Sequence, residues 1–300
     1  MEIQVRRLTA ALGAELRGFH IRDLDAAGVQ KIRELLTEHL VLFFPDQHPS
    51  AEEHIAFGRH FGELESHPHL KNPYSDLPEL FELSSDFFGI ADEWHSDLTF
   101  SEEPSLLAIL HMVKCPEIGG DTLWANAYKA YDELSAPMQE LCEGLSAVHD
   151  AAPHGEPKKT WIHPVVRVHP ETGRKSLFIN EHFTRRIVEM SHEESKLLLD
   201  YLTQWVQTER FTVRYHWKPG TLALWDNRCT QHFVLNDFRE ERVIQRVTVM
   251  GDHVVGARNE PRWEPYVRPV LASARSRHDL PLIQALAARE ERTKTDTSTQ

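Results

Sequence analysis

The stretch LALWDNRCTQHFVLNDFREERVIQRVTVMGD, residues 222–252, contains two strand-like runs separated by residues that favour turns. The runs LALWD and RVIQRVTV are rich in the aliphatic, β-branched and aromatic side chains that are enriched in strands. Asp226 ends the first run, Asn227, Asn236 and Asp237 lie between the runs, and all four are typical turn residues. The stretch therefore predicts successive short strands of an antiparallel sheet.

The same pattern of short strand-like runs extends over most of the chain from about residue 80. Short strand-like runs bounded by Gly, Pro, Asn and Asp recur at 78–86, 92–100, 105–113, 120–126, 163–170, 175–180 and 211–217. Helical patterns precede these runs at 23–39 and 50–64 and interrupt them at 126–145 and 191–207. This order favours a mainly β fold with α elements, in which helices flank a jelly-roll or double-stranded β-helix core.

Length and apolar content predict the domain organisation and the compartment. We expect one domain over residues 1–270, followed at 271–300 by a helix-like segment and a partly disordered polar tail. The first residues lack the apolar core of a signal peptide, and the longest apolar run, Leu40–Phe44, is too short to span a bilayer. The three cysteines are far apart and predict no disulfide framework. We therefore expect a cytoplasmic protein that does not bind membranes.

The charge distribution argues against nucleic acid as a partner. The formal net charge is −13, and the Lys and Arg residues form no cluster along the chain. Sequence-independent binding of nucleic acid needs such a cluster, because the clustered cations neutralise successive phosphates. Acidity does not exclude an anionic small molecule as a ligand, because a local basic pocket can exist inside an acidic protein.

A candidate metal site lies in EWHSDLTF, residues 93–100. In a strand, residues two apart point to the same face, so His95 and Asp97 are expected to project together. One imidazole and one carboxylate supply two ligands of a 2-His-1-carboxylate triad, which binds Fe(II) and leaves positions open. The chain has 19 histidines, so such pairs also occur by chance. Those at His169 and His192, for example, are explained by a turn and by the first turn of a helix.

A third ligand and two cations follow in residues 222–252. His232 comes after the tight turn, and Arg242 and Arg246 share one face of the next strand-like run. Two guanidinium groups near a third histidine predict a carboxylate receptor beside a metal. The alternative is a pair of solvated arginines on an edge strand, but the valines and isoleucine around them make the run look buried.

Four blocks of the sequence resemble the taurine dioxygenase/TfdA family of Fe(II)- and 2-oxoglutarate-dependent dioxygenases. The blocks are WHSDLTF, GGDTLWAN, WDNRCTQH and RVIQRVTVMGD, in that order, and the similarity runs from about residue 3 to residue 255. The His-x-Asp block alone is weak, whereas the four together are highly specific. The resemblance implies a jelly-roll enzyme that uses Fe(II), 2-oxoglutarate and O2, releases succinate and CO2, and hydroxylates a substrate C–H bond.

The resemblance also implies a role for individual residues. It implies that iron is held by His95, Asp97 and His232, and that the distal carboxylate of 2-oxoglutarate is held by Thr122 and Arg242. Arg246 is expected near the metal, where it would bind an anionic group of the primary substrate, with help from His67. Trp124 and Trp225 match aromatic residues that line the family's site. The alternatives are a surface loop for His67 and plain core packing for the two tryptophans.

The same resemblance limits the substrate. Family members that halogenate lack the carboxylate ligand, so the presence of Asp97 predicts hydroxylation. The positions that hold the taurine amine match Leu70, Ile90 and Ala91, none of which accepts a charged hydrogen bond, so taurine is disfavoured. We expect a sulfonate, sulfate ester or carboxylate on an apolar or aromatic body, cleaved after hydroxylation in some cases. The segment 149–164, with Lys158, Lys159 and Trp161, matches a variable lid loop or is a solvated turn.

Two other functional classes stay open from the sequence. A non-catalytic jelly-roll binding module is expected to lose at least one ligand or anchor, and none is lost here. A cupin-like metalloenzyme without a cosubstrate leaves Thr122, Arg242 and Arg246 without a joint role. Family members are commonly dimers or tetramers, so the resemblance also implies a homo-oligomer.

Overall fold

A computed structural model describes residues 3–66, 77–86, 91–267 and 278–297. The chain divides into two compact units. The first unit comprises Met1–Asp97, Ser105–Lys129 and Gln207–Asp252, and the second comprises Leu98–Pro104, Ala130–Val206 and His253–Gln300. No helix among the described residues is both long enough and apolar enough to cross a membrane.

The strands of the described residues follow the chain in short runs. In order they are β1 Gln4–Arg7, β2 Ala14–Arg17, β3 Val41–Phe44, β4 Phe81–Ser84, β5 Leu107–Lys114, β6 Thr122–Asn126, β7 Ser146–Ala151, β8 Glu156–Pro164, β9 Val166–Val168, β10 Lys175–Leu177, β11 Thr184–Ile187, β12 Thr212–Tyr215, β13 Leu222–Asp226, β14 Thr230–Val234 and β15 Val243–Val249. The helices are α1 Ala26–His39, α2 Ala51–Arg59, α3 Ala127–Asp132, α4 Ala136–Glu143, α5 His192–Val206 and α6 Leu280–Thr297.

The first unit contains two sheets with a shared aromatic core. The larger sheet has the order β1-β2-β3-β13-β5-β15-β4, and the smaller has the order β12-β6-β14. Phe43 of the larger sheet stacks on Tyr215 of the smaller one, with ring centroids 3.8 Å apart, and meets Trp124 edge to face. All pairings except β2 with β3 are antiparallel. This arrangement confirms the jelly-roll core.

Helices cover the outer face of the larger sheet. Ile32 and Leu36 of α1 and Phe57 of α2 pack with the side chains that this face presents, among them Phe44, Ile109 and Leu224. Local signals fix where these helices begin. Asp25 accepts a hydrogen bond from the backbone of Gly28 and caps α1. Ser50 and Glu53 form the capping box of α2 that the sequence predicts.

The second unit is built on the sheet β11-β7-β8, with the hairpin of β9 and β10 beside it. Apolar residues of β7 and α6, including Val148 and Leu282, form a small core of their own. The segment 149–164, expected as a lid loop or a turn, is mostly strand, because it supplies the end of β7 and the whole of β8.

Two local predictions are wrong in detail. The single helix expected over 126–145 is split into α3 and α4, because Pro137 has no N–H to continue a helix from the preceding turn and instead lies in the first turn of α4. The strand expected through EWHSDLTF is reduced to one ladder pair at His95, after which the chain turns and Leu98 adopts a φ of 56°.

Candidate active site

His95 and His232 are direct neighbours across a two-residue ladder. The N–H of His95 donates to the carbonyl of His232 over 3.1 Å, and the N–H of His232 donates back over 2.7 Å. Their ring centroids are 4.0 Å apart. His232 lies in β14, whose other side pairs with β6, so the smaller sheet of the first unit holds both imidazoles in place.

Asp97 completes the constellation from the turn that follows His95. Its Oδ1 lies 3.8 Å from Nε2 of His95 and 3.9 Å from Nε2 of His232. All three residues are buried, and one ligand atom from each lies within 4.8 Å of the others. Nδ1 of His95 is 2.7 Å from the carbonyl oxygen of Glu93, which directs Nε2 toward the centre of the cluster. Two imidazole nitrogens and one carboxylate oxygen are the donor set that suits Fe(II).

Asp97 is held in its charged form. Burial alone would raise the pKa of its carboxyl, but the Arg246 guanidinium, the two imidazoles and a hydrogen bond from Asn227 outweigh burial. The pKa therefore lies well below its ordinary value. A carboxyl group has to lose its proton to bind a metal, so this environment prepares Asp97 for a cation.

Arg242 and Thr122 form a second polar group. Thr122 Oγ1 accepts hydrogen bonds from Nη2 of Arg242 over 3.3 Å and from the indole of Trp217 over 2.9 Å. Because that oxygen already faces two donors, its own proton is available to an acceptor. Arg242 is 8% exposed and has no carboxylate partner among the described residues. Burial lowers the pKa of Arg242 to about 10. A buried cation of this kind is incomplete without an anion.

Arg246 contacts the ligand cluster. Its Nη1 lies 3.1 Å from Oδ1 of Asp97, while its buried Nε–H has no acceptor among the described residues. The same is true of the Nε–H of Arg242 and of the indole N–H of Trp124. The site thus presents three buried donors for which the described residues provide no acceptor, as expected where an anionic ligand binds.

One cavity of about 90 Å³ joins these residues. His95 and His232 line it together with Thr122, Arg242 and Arg246. Trp124 and Trp225 form part of the wall, and the rest is mostly apolar, with Leu83, Leu110, Val234, Phe238 and Ile244. A dianion with a short carbon chain, such as 2-oxoglutarate, fits this combination of charged and apolar groups, so the residues present are suited to both Fe(II) and the cosubstrate.

Among the described residues, the structure brings together the predicted metal ligands His95, Asp97 and His232 with Thr122, Trp124, Trp225, Arg242 and Arg246. His67 lies outside the described residues, as do Leu70 and Ile90. Ala91 is exposed and lines the cavity. Lys159 and Trp161 belong to β8 in the second unit, where Lys159 lies over the ring of Phe100 and Trp161 meets the guanidinium of Arg292.

Two contacting residues were missed by sequence reasoning. Trp217 supports Thr122 from the segment that follows β12, which carries no functional signal of its own. Asn227 hydrogen bonds to Asp97, and the only signal for it was its place inside the block WDNRCTQH.

Comparisons with known proteins agree with this geometry. A family model described as "Taurine catabolism dioxygenase TauD, TfdA family" matches residues 4–248. The chain belongs to the TauD/TfdA family.

Relatives of this TauD/TfdA protein span most of its length. It is 39% identical to an alkylsulfatase of Acinetobacter baylyi, over 85% of this chain and 87% of the relative. It is 36% identical to an alpha-ketoglutarate-dependent sulfate ester dioxygenase of Pseudomonas putida, over 85% and 92% of the two chains. A crystal structure of a taurine dioxygenase from Burkholderia xenovorans superimposes with a TM-score of 0.78 at 37% identity and covers 85% of this chain and 93% of that one.

Membership of the TauD/TfdA family settles the class of activity. The chain is an alpha-ketoglutarate-dependent dioxygenase that uses Fe(II) and 2-oxoglutarate and acts with O2 on a small anionic substrate. The two alternatives, a non-catalytic jelly-roll module and a cupin-like metalloenzyme without a cosubstrate, are therefore excluded.

Proposed function

We propose that this enzyme cleaves alkyl sulfate esters by hydroxylating the carbon that bears the sulfate. The observation that carries the proposal is one cavity with largely apolar walls, which His95 and His232 of the ligand cluster line together with buried Arg242 and half-buried Arg246. An anionic head group needs the cations, and an alkyl body needs the apolar surface.

Three residues are proposed as the metal ligands. His95 and His232 would each offer Nε2, and Asp97 would offer Oδ1, because this oxygen lies 3.8 Å from the first nitrogen and 3.9 Å from the second. When bound, Fe(II) and 2-oxoglutarate supply the oxidising chemistry, in which 2-oxoglutarate becomes succinate and CO2 while an oxygen atom of O2 goes to the substrate. The protein's part is to hold the reacting C–H bond in place and to exclude water.

Thr122 and Arg242 are proposed to bind the distal carboxylate of 2-oxoglutarate. The available proton of Thr122 and the N–H groups of Arg242 would both donate to that carboxylate, giving it charge-assisted hydrogen bonds. Trp217 orients the hydroxyl from behind, since its indole N–H can only donate.

Arg246 is proposed to hold the anionic group nearest the metal. Its contact with Oδ1 of Asp97 places it at the ligand cluster, and its Nε–H is available for an additional acceptor. Trp124 offers an indole N–H on the same cavity and is proposed to contact the substrate. A role for His67 in binding the sulfate rests on the family resemblance alone and remains a proposal.

The reaction balances without a further reactant. Hydroxylation of the carbon next to the ester oxygen replaces one of its C–H bonds by C–OH and gives a hemiacetal sulfate. The C–O bond to sulfate then breaks, the hydroxyl loses its proton, and the products are an aldehyde and inorganic sulfate. The names of the two relatives described above support a sulfate ester over a free sulfonate or a carboxylate. One is named an alkylsulfatase and the other a sulfate ester dioxygenase.

A matched set of anions tests this proposal. The enzyme, loaded with Fe(II) and 2-oxoglutarate, is given hexyl sulfate, hexanesulfonate, an aryloxypropionate or taurine, and succinate and sulfate are measured. We expect hexyl sulfate to give one sulfate per succinate and the fastest turnover, and taurine to give none. Faster turnover of hexanesulfonate or the aryloxypropionate, without sulfate release from the ester, would overturn the assignment of the substrate.

A cytoplasmic location and a homo-oligomeric state are part of the proposal. All three cysteines are free thiols, which supports a reducing compartment. Light scattering of the purified protein, compared with the mass of one 34.7 kDa chain, tests the oligomeric state.

A further inference from the structure

We infer that Asn227 is a positioning residue that fixes how Asp97 binds the metal. The inference rests on the proposed metal site and concerns a residue that does not itself reach the metal. Asn227 is 2% exposed and lies in the turn between β13 and β14. Its side chain meets the carboxylate and the backbone of Asp97 at the same time.

The hydrogen bonds of Asn227 determine which way its amide points. Oδ1 accepts from the backbone N–H of Asp97 over 3.2 Å and from the indole N–H of Trp225 over 3.0 Å. Both partners can only donate, so the oxygen of the amide has to face them. The nitrogen then faces Oδ2 of Asp97 at 3.2 Å and Oγ of Ser105 at 3.1 Å. All four hydrogen-bonding positions of the amide are therefore used.

This orientation makes the two oxygens of Asp97 different. Oδ2 receives an N–H from Asn227, whereas Oδ1 faces both imidazoles and Arg246. A carboxylate whose second oxygen is held away by a hydrogen bond binds a cation through one oxygen. The 2-His-1-carboxylate triad works because it leaves positions open on the metal. A second carboxylate oxygen on the metal would occupy one of these positions.

The hydrogen bond from the backbone of Asp97 to Asn227 also fixes the turn that contains Asp97. Asp97 lies outside any strand, and its position depends on bonds from elsewhere in the chain. Asn227 holds the N–H of Asp97, and Ser105 donates to the carbonyl of the same residue over 3.3 Å. Asn227 therefore sets both where the carboxylate lies and how it is turned.

Metal binding by the protein without 2-oxoglutarate tests the inference. Co(II) is titrated into metal-free wild type, Asn227→Ala and Asn227→Asp, and affinity and the visible ligand-field spectrum are recorded. Asn227→Asp keeps an acceptor for the two N–H groups but loses the donors to Oδ2 of Asp97 and to Oγ of Ser105, and it places a second carboxyl group beside Asp97. Loss of an outer-sphere partner of a ligand typically weakens metal binding by about 10- to 100-fold. We expect that loss in Asn227→Ala, and an altered spectrum at saturation in both variants.

Asn236 provides matched controls. It is exposed and its Nδ2 also donates to a carboxylate, that of Asp92, over 3.0 Å. Asn236→Ala and Asn236→Asp are expected to keep the wild-type affinity and spectrum. A melting curve of each metal-free variant shows whether it is folded, and Asn227→Asp, which has the same shape as wild type, serves if Asn227→Ala does not fold.

The outcomes separate the inference from the proposed function. If Asn227 variants melt earlier but bind Co(II) with unchanged affinity and spectrum, Asn227 is structural only and the inference is wrong. If wild type binds Co(II) no better than His232→Ala, the proposed metal site itself fails. Weaker binding with a changed spectrum, confined to the Asn227 variants, supports the inference.

Discussion

The Nη2 of Arg242 lies 3.3 Å from Oγ1 of Thr122, although the two residues are 120 positions apart in the chain. Both residues are buried, and neither has an acidic partner among the described residues. A cation and a hydroxyl placed together in this way are arranged for a carboxylate that arrives from outside the protein.

Replacement of Arg242 tests this arrangement. Hydrogen bonds to charged groups contribute about 1.5–3 kcal/mol, which corresponds to roughly 10- to 150-fold in affinity. We expect Arg242→Gln to raise the KM for 2-oxoglutarate by that factor and to change the KM for the primary substrate little. Steady-state kinetics with each substrate varied in turn measure the two KM values separately. Arg239→Gln, an exposed neighbour in sequence, is the control, and an equal effect on both KM values would contradict the assignment.

Thr122 can be probed with two conservative changes. Thr122→Val keeps the shape but removes the hydroxyl, so the indole N–H of Trp217 loses its acceptor. An unsatisfied buried donor costs about 1–3 kcal/mol, so thermal unfolding should show a loss of stability. The KM for 2-oxoglutarate should rise as well. Thr122→Ser keeps the oxygen and should stay close to wild type in both measurements. A Thr122→Val protein with unchanged KM would show that the hydroxyl does not touch the cosubstrate.

The metal site makes a prediction about stability. A ligand at 100 times its Kd stabilises the native state by about 2.7 kcal/mol, so Co(II) should raise the melting temperature of wild type. His232→Ala should lose most of this shift, because one of the three converging ligand atoms is gone. The exposed residue His60 offers a control, and His60→Ala should respond to Co(II) like wild type. An undiminished shift in His232→Ala would place the metal elsewhere.

Strands and helix starts were predictable because their signals are local. The apolar and β-branched runs of β13 and β15, the cap at Asp25 and the capping box at Ser50 each lie within a few residues of sequence. The jelly-roll class followed from many such local signals in one order. The proposed metal ligands were predicted from spacing and resemblance together, since the His-x-Asp pattern alone also arises by chance.

What the sequence did not predict depends on distant contacts. The turn at Asp97 replaces the expected strand because Asn227 and Ser105 hold its backbone, and no local pattern reveals either contact. Trp217 supports Thr122 across 95 positions in the chain. Asn227 looked like an ordinary turn residue, and only the fold shows that its amide bonds to both the carboxylate and the backbone of Asp97.

A buried histidine remote from the ligand cluster predicts how stability depends on pH. His54 of α2 is fully buried, and its Nε2 contacts the carbonyl of Ile109 over 3.1 Å. Burial, together with nearby His111, lowers the pKa of His54 from its ordinary 6.5 to about 3. Between pH 3 and pH 6.5, His54 binds a proton in the unfolded chain but not in the folded chain. The contribution of His54 to stability therefore falls as the pH drops below about 6.5 and stops falling near 3. His54→Gln should reduce this slope by up to about 1.4 kcal/mol per pH unit. Urea unfolding at a series of pH values measures it, with the exposed His60→Gln as control, and an unchanged slope in His54→Gln would show that the buried imidazole is not the group responsible.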